Sequence, residues 1–215
     1  MVSWRSHALR HLYFMTFRHS IFLFAASILL VSQAPVQATP VKVENFALID
    51  HEGKFHEFDY YCRDTQVKGI VLFVQGNGCP LVRKRIPELK RLRDAYQSQG
   101  VLFGMLNANP QDEREDLVEE AEEYGIDMPI LKDSGQLVAG MLGINRTAEA
   151  LLIHTKTCQV VFRGPIDDRM SYQKEKPKAS HRYLNDAIEA LLGDGKIKEP
   201  TVEAPGCRIA IDDTP

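Results

Sequence analysis

Cys79 is the residue whose setting most favours chemistry. It follows the apolar run Gly69-Ile70-Val71-Leu72-Phe73-Val74-Gln75 and the break Gly76-Asn77-Gly78, and it precedes Pro80. A continuous apolar run predicts a buried strand, and proline suits the first turn of a helix. Cys79 is therefore predicted at a strand-to-helix junction, where backbone N–H groups and the positive end of the helix dipole favour a thiolate. Arg83, Lys84 and Arg85 add positive charge within the next turns. A thiolate is the nucleophile in disulfide exchange and in peroxide reduction. The competing reading is a buried structural cysteine. A glycine-flanked junction is a poor place for one. Three further cysteines, Cys62, Cys158 and Cys207, allow three full pairings, among which spacing does not choose.

Other chemistries leave no comparable pattern. His51, His56, His154 and His181 show no metal-ligand spacing, and no metal or cofactor is expected. No phosphate-binding loop and no Ser-His-Asp signature is present. The acidic stretch from Glu113 to Glu123 reads as a solvated helix face. Asp167, Asp168 and Arg169 form a loop after the last strand. One of the aspartates is a candidate proton acceptor, and a self-capped turn is the plainer account.

The elements that must position Cys79 alternate between strands and helices. Phe46 to Ile49 and Phe55 to Phe58 read as a hairpin around His51-Glu52-Gly53-Lys54. Val82, Ile86, Leu89, Leu92 and Tyr96 recur at helical spacing within 80–99, a helix that Pro87 should kink. Residues 101–106 form the next strand. Residues 112–124 form a helix stopped by Gly125. Residues 128–131 are a short segment and 136–142 a short helix. Strands at 150–154 and 159–162 flank a tight turn that carries Cys158. A last helix, capped by Ser180, runs to Leu192. This order describes an α/β sandwich with a mixed sheet.

Composition bounds the rest. The chain has 215 residues and a formal charge of −3, which predicts one domain with extensions and no general attraction to nucleic acid. Residues 1–38 carry Arg5, Arg10 and Arg18, no acid, an apolar run from Ile21 to Val31, and Val36-Gln37-Ala38. This layout predicts a secretory signal peptide, cleaved after Ala38, hence a periplasmic or secreted protein without stable membrane insertion. An uncleaved anchor is the competing reading, but Arg18 and His19 truncate the span. Export would place all four cysteines in an oxidising compartment. The domain is expected over 39–193, with a tail over 194–215.

The order of elements around Gly78-Cys79-Pro80, with Asn45 to Asp50, Pro87 eight residues after the cysteine, Leu131-Lys132-Asp133, Leu142-Gly143 and Arg146-Thr147, resembles the thioredoxin fold. More narrowly it is similar to the AhpC/TSA redoxin branch, which includes peroxiredoxins and periplasmic thiol–disulfide oxidoreductases. The resemblance spans about 43–192 and is to an exported bacterial subgroup with a single Gly-Cys-Pro cysteine. It implies a thioredoxin-like α/β sandwich, with a central mixed sheet, helices on both faces and an N-terminal hairpin. Three positions depart from the relatives. Val82 stands where thioredoxins carry a second cysteine. Leu72 and Gly76 replace the proline and threonine of the peroxiredoxin pattern. Ala148 stands where thioredoxins carry a cis-proline, and a cis peptide before it is disfavoured. Arg83 likewise replaces the second cysteine of copper-chaperone relatives.

The resemblance also assigns places. It puts Cys79 at one pole of the sheet, with Thr147 and Ala148 beside it and Arg146 where peroxiredoxins support the thiolate. A surface ion pair is the competing reading for Arg146. Cys62 and Cys158 fall at the opposite pole as a candidate structural disulfide, or as two unpaired thiols. Cys207 follows Leu192 by fifteen residues, a reach of up to about 50 Å. A domain of this size is roughly 35–40 Å across. Cys207 is thus a candidate resolving cysteine. The competing reading is a disordered tail, against which the apolar Ile209-Ala210-Ile211 favours docking. The expected function is an exported thiol oxidoreductase, by disulfide exchange or peroxide reduction. Its partners would be an external thiol reductant or a disulfide-bearing protein. A non-catalytic binding module, or a metallocentre or cytochrome assembly factor, is the alternative.

Overall fold

The computed structural model describes residues 41–210, so the signal-peptide expectation for 1–38 lies outside the described residues. Seven strands form one mixed sheet: β1 (Ala47–Asp50), β2 (Phe55–Glu57), β3 (Gly69–Gln75), β4 (Val101–Asn107), β5 (Ile130–Lys132), β6 (Ala150–His154) and β7 (Gln159–Gly164). Their spatial order is β2-β1-β5-β4-β3-β6-β7. β3 pairs parallel with β4 and antiparallel with β6, so it lies inside the sheet. That is why it reads as an unbroken apolar run, because neither face meets water. β1 and β2 form the expected N-terminal hairpin.

Strand residues alternate between two cores. Val71 and Phe73 face one side, with Leu89 and Leu92 of α3 (Ile86–Tyr96), Leu117 of α4 (Arg114–Tyr124) and Leu184 and Ile188 of α6 (Tyr183–Leu192). Leu72 and Val74 face the other, with Phe58 of α1 (Phe58–Arg63) and Val138 and Leu142 of α5 (Leu137–Leu142). Helices thus cover both faces, as the thioredoxin-like expectation requires.

Several local expectations are corrected. The predicted helix over 80–99 is two helices, α2 (Pro80–Arg83) and α3, with Pro87 in the first turn of α3 rather than inside a kinked rod. A proline cannot supply the N–H that a continuing helix needs, but a helix start does not need it. α6 begins at Tyr183, and the Ser180 amide instead donates to Asp168 Oδ1 at 2.8 Å. Gly125 closes α4 in the left-handed region (φ 60°), as expected of a helix-stopping glycine. α1, which carries Cys62, was not anticipated.

Candidate active site

β3 delivers the chain to the Gly76-Asn77-Gly78 turn, and Cys79 caps the start of α2. A buried polar network fixes that turn. Asp112 Oδ2 accepts from the Asn77 amide at 3.0 Å, from Asn107 Nδ2 at 2.7 Å and from Asn109 Nδ2 at 2.9 Å. Gln75 Nε2 donates to Asn77 Oδ1 at 2.8 Å. Sequence reasoning missed this network, since polar residues just after a strand read as an ordinary turn. Gly76 fits into it tightly. A Cβ there would lie 2.6 Å from both Asn109 Nδ2 and Thr147 Cγ2. The threonine of the peroxiredoxin pattern would displace the Asn109 and Thr147 side chains at this position.

Cys79 Sγ lies 3.1 Å from Thr147 Oγ1 and 2.7 Å from Cys207 Sγ. Thr147 Oγ1 accepts from the Cys207 amide at 3.0 Å, which leaves its own proton free for the Cys79 sulfur. Burial opposes ionisation of Cys79. The Cys207 thiol, the Thr147 hydroxyl and the first-turn amides of Val82 and Leu81 outweigh it and hold Cys79 below the ordinary cysteine value. Cys207 is pushed up to about 11, by burial and by the adjacent Cys79 sulfur. The pair therefore has one sulfur that favours the thiolate and one that keeps its proton.

Cys207 arrives on a docked strap. The Arg163 amide donates to Pro200 O and the Val202 amide to Arg163 O, both at 2.9 Å, so the segment first runs beside β7. It then crosses the mouth of the site. The Thr147 amide donates to Cys207 O at 2.9 Å and the Ile209 amide to Asn145 O at 3.1 Å. Tyr172 Oη accepts from the Gly206 amide and donates to Gly206 O, each at 3.1 Å. Ile209 is buried in the second core. At Gly206 a Cβ would come within 1.9 Å of Thr147 O, so only glycine permits so close a pass. The described part of the tail is therefore docked, and Cys79 and Cys207 meet. Tyr172, the clamp on the strap, was not singled out from the sequence.

Other expected site residues serve different ends. Arg146 does not support the sulfur. Its Nη1 donates to Ala204 O and Tyr172 Oη, both at 3.1 Å, and approaches Glu203 at 3.4 Å, so it anchors the strap. The cations after Cys79 are neutralised by partners distant in sequence. Arg83 grips Glu120 (Nε to Oε1 3.0 Å, Nη2 to Oε2 2.6 Å) and lies over the Tyr124 ring. Lys84 pairs with Glu175 at 2.7 Å and buried Arg85 with Asp167 at 2.9 Å. A cation already matched to a carboxylate adds little at a nearby sulfur. Glu120 is itself buried, which corrects the reading of its helix face as fully solvated. Asp167 also accepts from the Arg169 amide at 2.8 Å. Lys176, with help from the His181 and Ser180 amides, holds Asp168 well below the usual carboxylate range. The loop is the self-capped turn, with Asp167 committed to Arg85 and the Arg169 amide and Asp168 to Lys176 and the Ser180 and His181 amides. Ala148 adopts φ 59°, a left-handed conformation that is strained for a residue with a side chain.

Cys62 and Cys158 come together at the other end of the sheet, with sulfurs 2.9 Å apart. Cys62 is pushed up to about 12, by burial and then by Cys158.

Comparison with known proteins places the chain among thiol-redox relatives by sequence and fold. Residues 110 in number align at 31% identity with the thiol-disulfide oxidoreductase ResA of Bacillus thuringiensis (strain Al Hakam), covering 51% of this chain and 60% of that protein. The chain thus matches less than two thirds of that relative's length. An uncharacterized conserved protein from Geobacillus kaustophilus superposes with a TM-score of 0.73 at 26% identity, over 83% of this chain and 94% of that one. A putative thiol:disulfide interchange protein DsbE from Chlorobium tepidum shares the fold, with a TM-score of 0.58 at 16% identity, over 73% and 99% of the two chains. The model of the AhpC/TSA family matches residues 40–163, more than half of the sequence and including Cys79, and the chain belongs to that family.

Proposed function

We propose that this protein is an exported thiol–disulfide oxidoreductase that uses Cys79 and Cys207 as its redox pair. The observation that carries the reading is the 2.7 Å separation of the two sulfurs, one held below and one above the ordinary cysteine value. A disulfide bond is about 2.05 Å long, so only a small approach joins them. Cys79 is the nucleophile, and Cys207 resolves the mixed disulfide that Cys79 forms once the strap lifts. The partner is an external thiol reductant or a disulfide-bearing protein. Disulfide exchange is favoured over peroxide reduction because Leu72 and Gly76 stand where the peroxiredoxin pattern has proline and threonine, and a side chain at 76 would displace Asn109 and Thr147. Export rests on the pattern of residues 1–38. No helix of the described residues is long and apolar enough to cross a membrane.

Thiol release from a peptide disulfide, followed with the reduced protein, tests the reading. Wild-type protein should release thiol and Cys79→Ser should not. Equal rates for the two proteins would instead mark a non-catalytic binding module.

A further inference from the structure

We infer that, in the oxidised protein, an incoming thiol attacks Cys207 rather than Cys79, so that the strap carries the covalent intermediate with the reductant. The inference deepens the proposed function and rests on Cys79 and Cys207 forming its disulfide.

Access decides which sulfur is struck. A thiolate displaces one sulfur of a disulfide from the side opposite the other. Cys79 is 4% exposed and belongs to the core cluster with Val82, Ile86 and Ala148. Cys207, on the strap, is exposed. An attack on Cys79 opposite Cys207 must come through packed side chains. An attack on Cys207 opposite Cys79 comes from water. The strap does not readily turn over, because Gly206 sits against Thr147 O, the Thr147 amide donates to Cys207 O, and the Cys207 amide donates to Thr147 Oγ1.

The leaving group agrees. When the Cys79–Cys207 bond breaks, its electron pair goes to Cys79, where the Thr147 hydroxyl and the first-turn amides receive the negative charge. A sulfur that favours the thiolate leaves faster. The reductant class that completes the cycle is a dithiol. Its first thiolate bonds to Cys207 Sγ and expels Cys79 as a thiolate. Its second thiolate then attacks the first, and Cys207 leaves and takes up a proton. Two electrons pass to the cysteine pair, and the dithiol departs as a disulfide. This order inverts the roles that the reduced protein assigns, in which Cys79 attacks.

The oxidised full chain is treated briefly with 2-mercaptoethanol, quenched in acid, alkylated, and mapped by peptide mass. At least tenfold more 2-mercaptoethanol adduct is expected on the Cys207 peptide than on the Cys79 peptide. Comparable labelling, or an excess on Cys79, overturns the inference while leaving the redox pair intact. Absence of the Cys79–Cys207 bond before thiol is added overturns the proposed function, and the inference with it. Gly206→Ala, which pushes the strap off Thr147, should move the adduct ratio at least threefold toward Cys79. An unchanged ratio in that variant contradicts the role given to strap seating.

Discussion

The molecule brings two cysteine pairs to almost the same separation, 2.7 Å for Cys79–Cys207 and 2.9 Å for Cys62–Cys158, at opposite poles of one sheet. What surrounds them differs. Cys79 is buried beside a second sulfur, but the Cys207 thiol, the Thr147 hydroxyl and first-turn amides favour its ionised form. Cys62 has burial and a second sulfur, and is pushed up to about 12. Cys207 lies on a strap held by hydrogen bonds, whereas Cys62 and Cys158 lie on α1 and on a tight turn against the sheet. Proximity allows a bond to form. Stabilisation of the leaving thiolate makes that bond exchangeable. One pair is thus suited to turnover and the other to crosslinking.

The largest effect expected from this contrast is catalytic. Cys79→Ser should lower disulfide-exchange activity by about 100-fold or more, since the thiolate is the nucleophile. Cys62→Ser should leave the rate within about twofold, because its sulfur is remote from the reacting pair. A large loss in the second variant would erase the distinction between the poles.

Stability should respond in the opposite sense. Loss of a Cys62–Cys158 crosslink in Cys158→Ser should cost about 2–4 kcal/mol under oxidising conditions. For a domain of this size that lowers Tm by roughly 4–16 °C. Calorimetry of oxidised wild type and variant measures it, and an unchanged Tm would leave the two cysteines as plain thiols.

The turn under Cys79 should be next in sensitivity. Asp112→Ala removes the acceptor of the Asn77 amide and of Asn109 Nδ2, and one of the two acceptors of Asn107 Nδ2. Unmet buried donors cost about 1–3 kcal/mol each before relaxation. Denaturant unfolding should therefore show a loss of at least about 2 kcal/mol, and exchange should slow because the sulfur is less firmly placed. Thr147→Val, which removes the hydroxyl beside Cys79, should slow its alkylation near pH 7 by roughly 3- to 10-fold.

The smallest effect is on stability against pH. In the reduced protein Cys79 has a lowered folded value, so its contribution grows as pH rises from that value to the unfolded one, about 8.5. Cys207 is raised to about 11, so its contribution falls away as pH rises from the unfolded value through that range. Reduced protein should be most stable near pH 8.5 and weaken toward pH 11. Protein with both pairs oxidised should lack this hump.

Much of the frame was legible in the sequence. The apolar run 69–75, the Gly-Cys-Pro junction and the glycine at 125 each state their local geometry through burial, φ preference or a missing N–H. The strap was legible as a reach and, in apolar Ile209, as a docking segment, but its path was not, because Thr147, Asn145 and Arg163 hold it through backbone hydrogen bonds that side-chain patterns do not encode. The charges on Arg83, Lys84 and Arg85 were plain, but Glu120, Glu175 and Asp167, which neutralise them, lie 37 to 91 residues away. Arg146 fell beside the right strand and turned to the strap instead of the sulfur. The Asp112 network was hidden because its members look like loop residues until the fold buries them.

The central claim is that the fold holds Cys79 as the readily ionised member of its pair. Mass-resolved alkylation of the fully reduced protein across pH measures each sulfur separately. The account predicts half-maximal modification of Cys79 clearly below about pH 8.5, with Cys207 responding only toward about 11. Half-maximal modification of Cys79 at or above about pH 8.5 would contradict it.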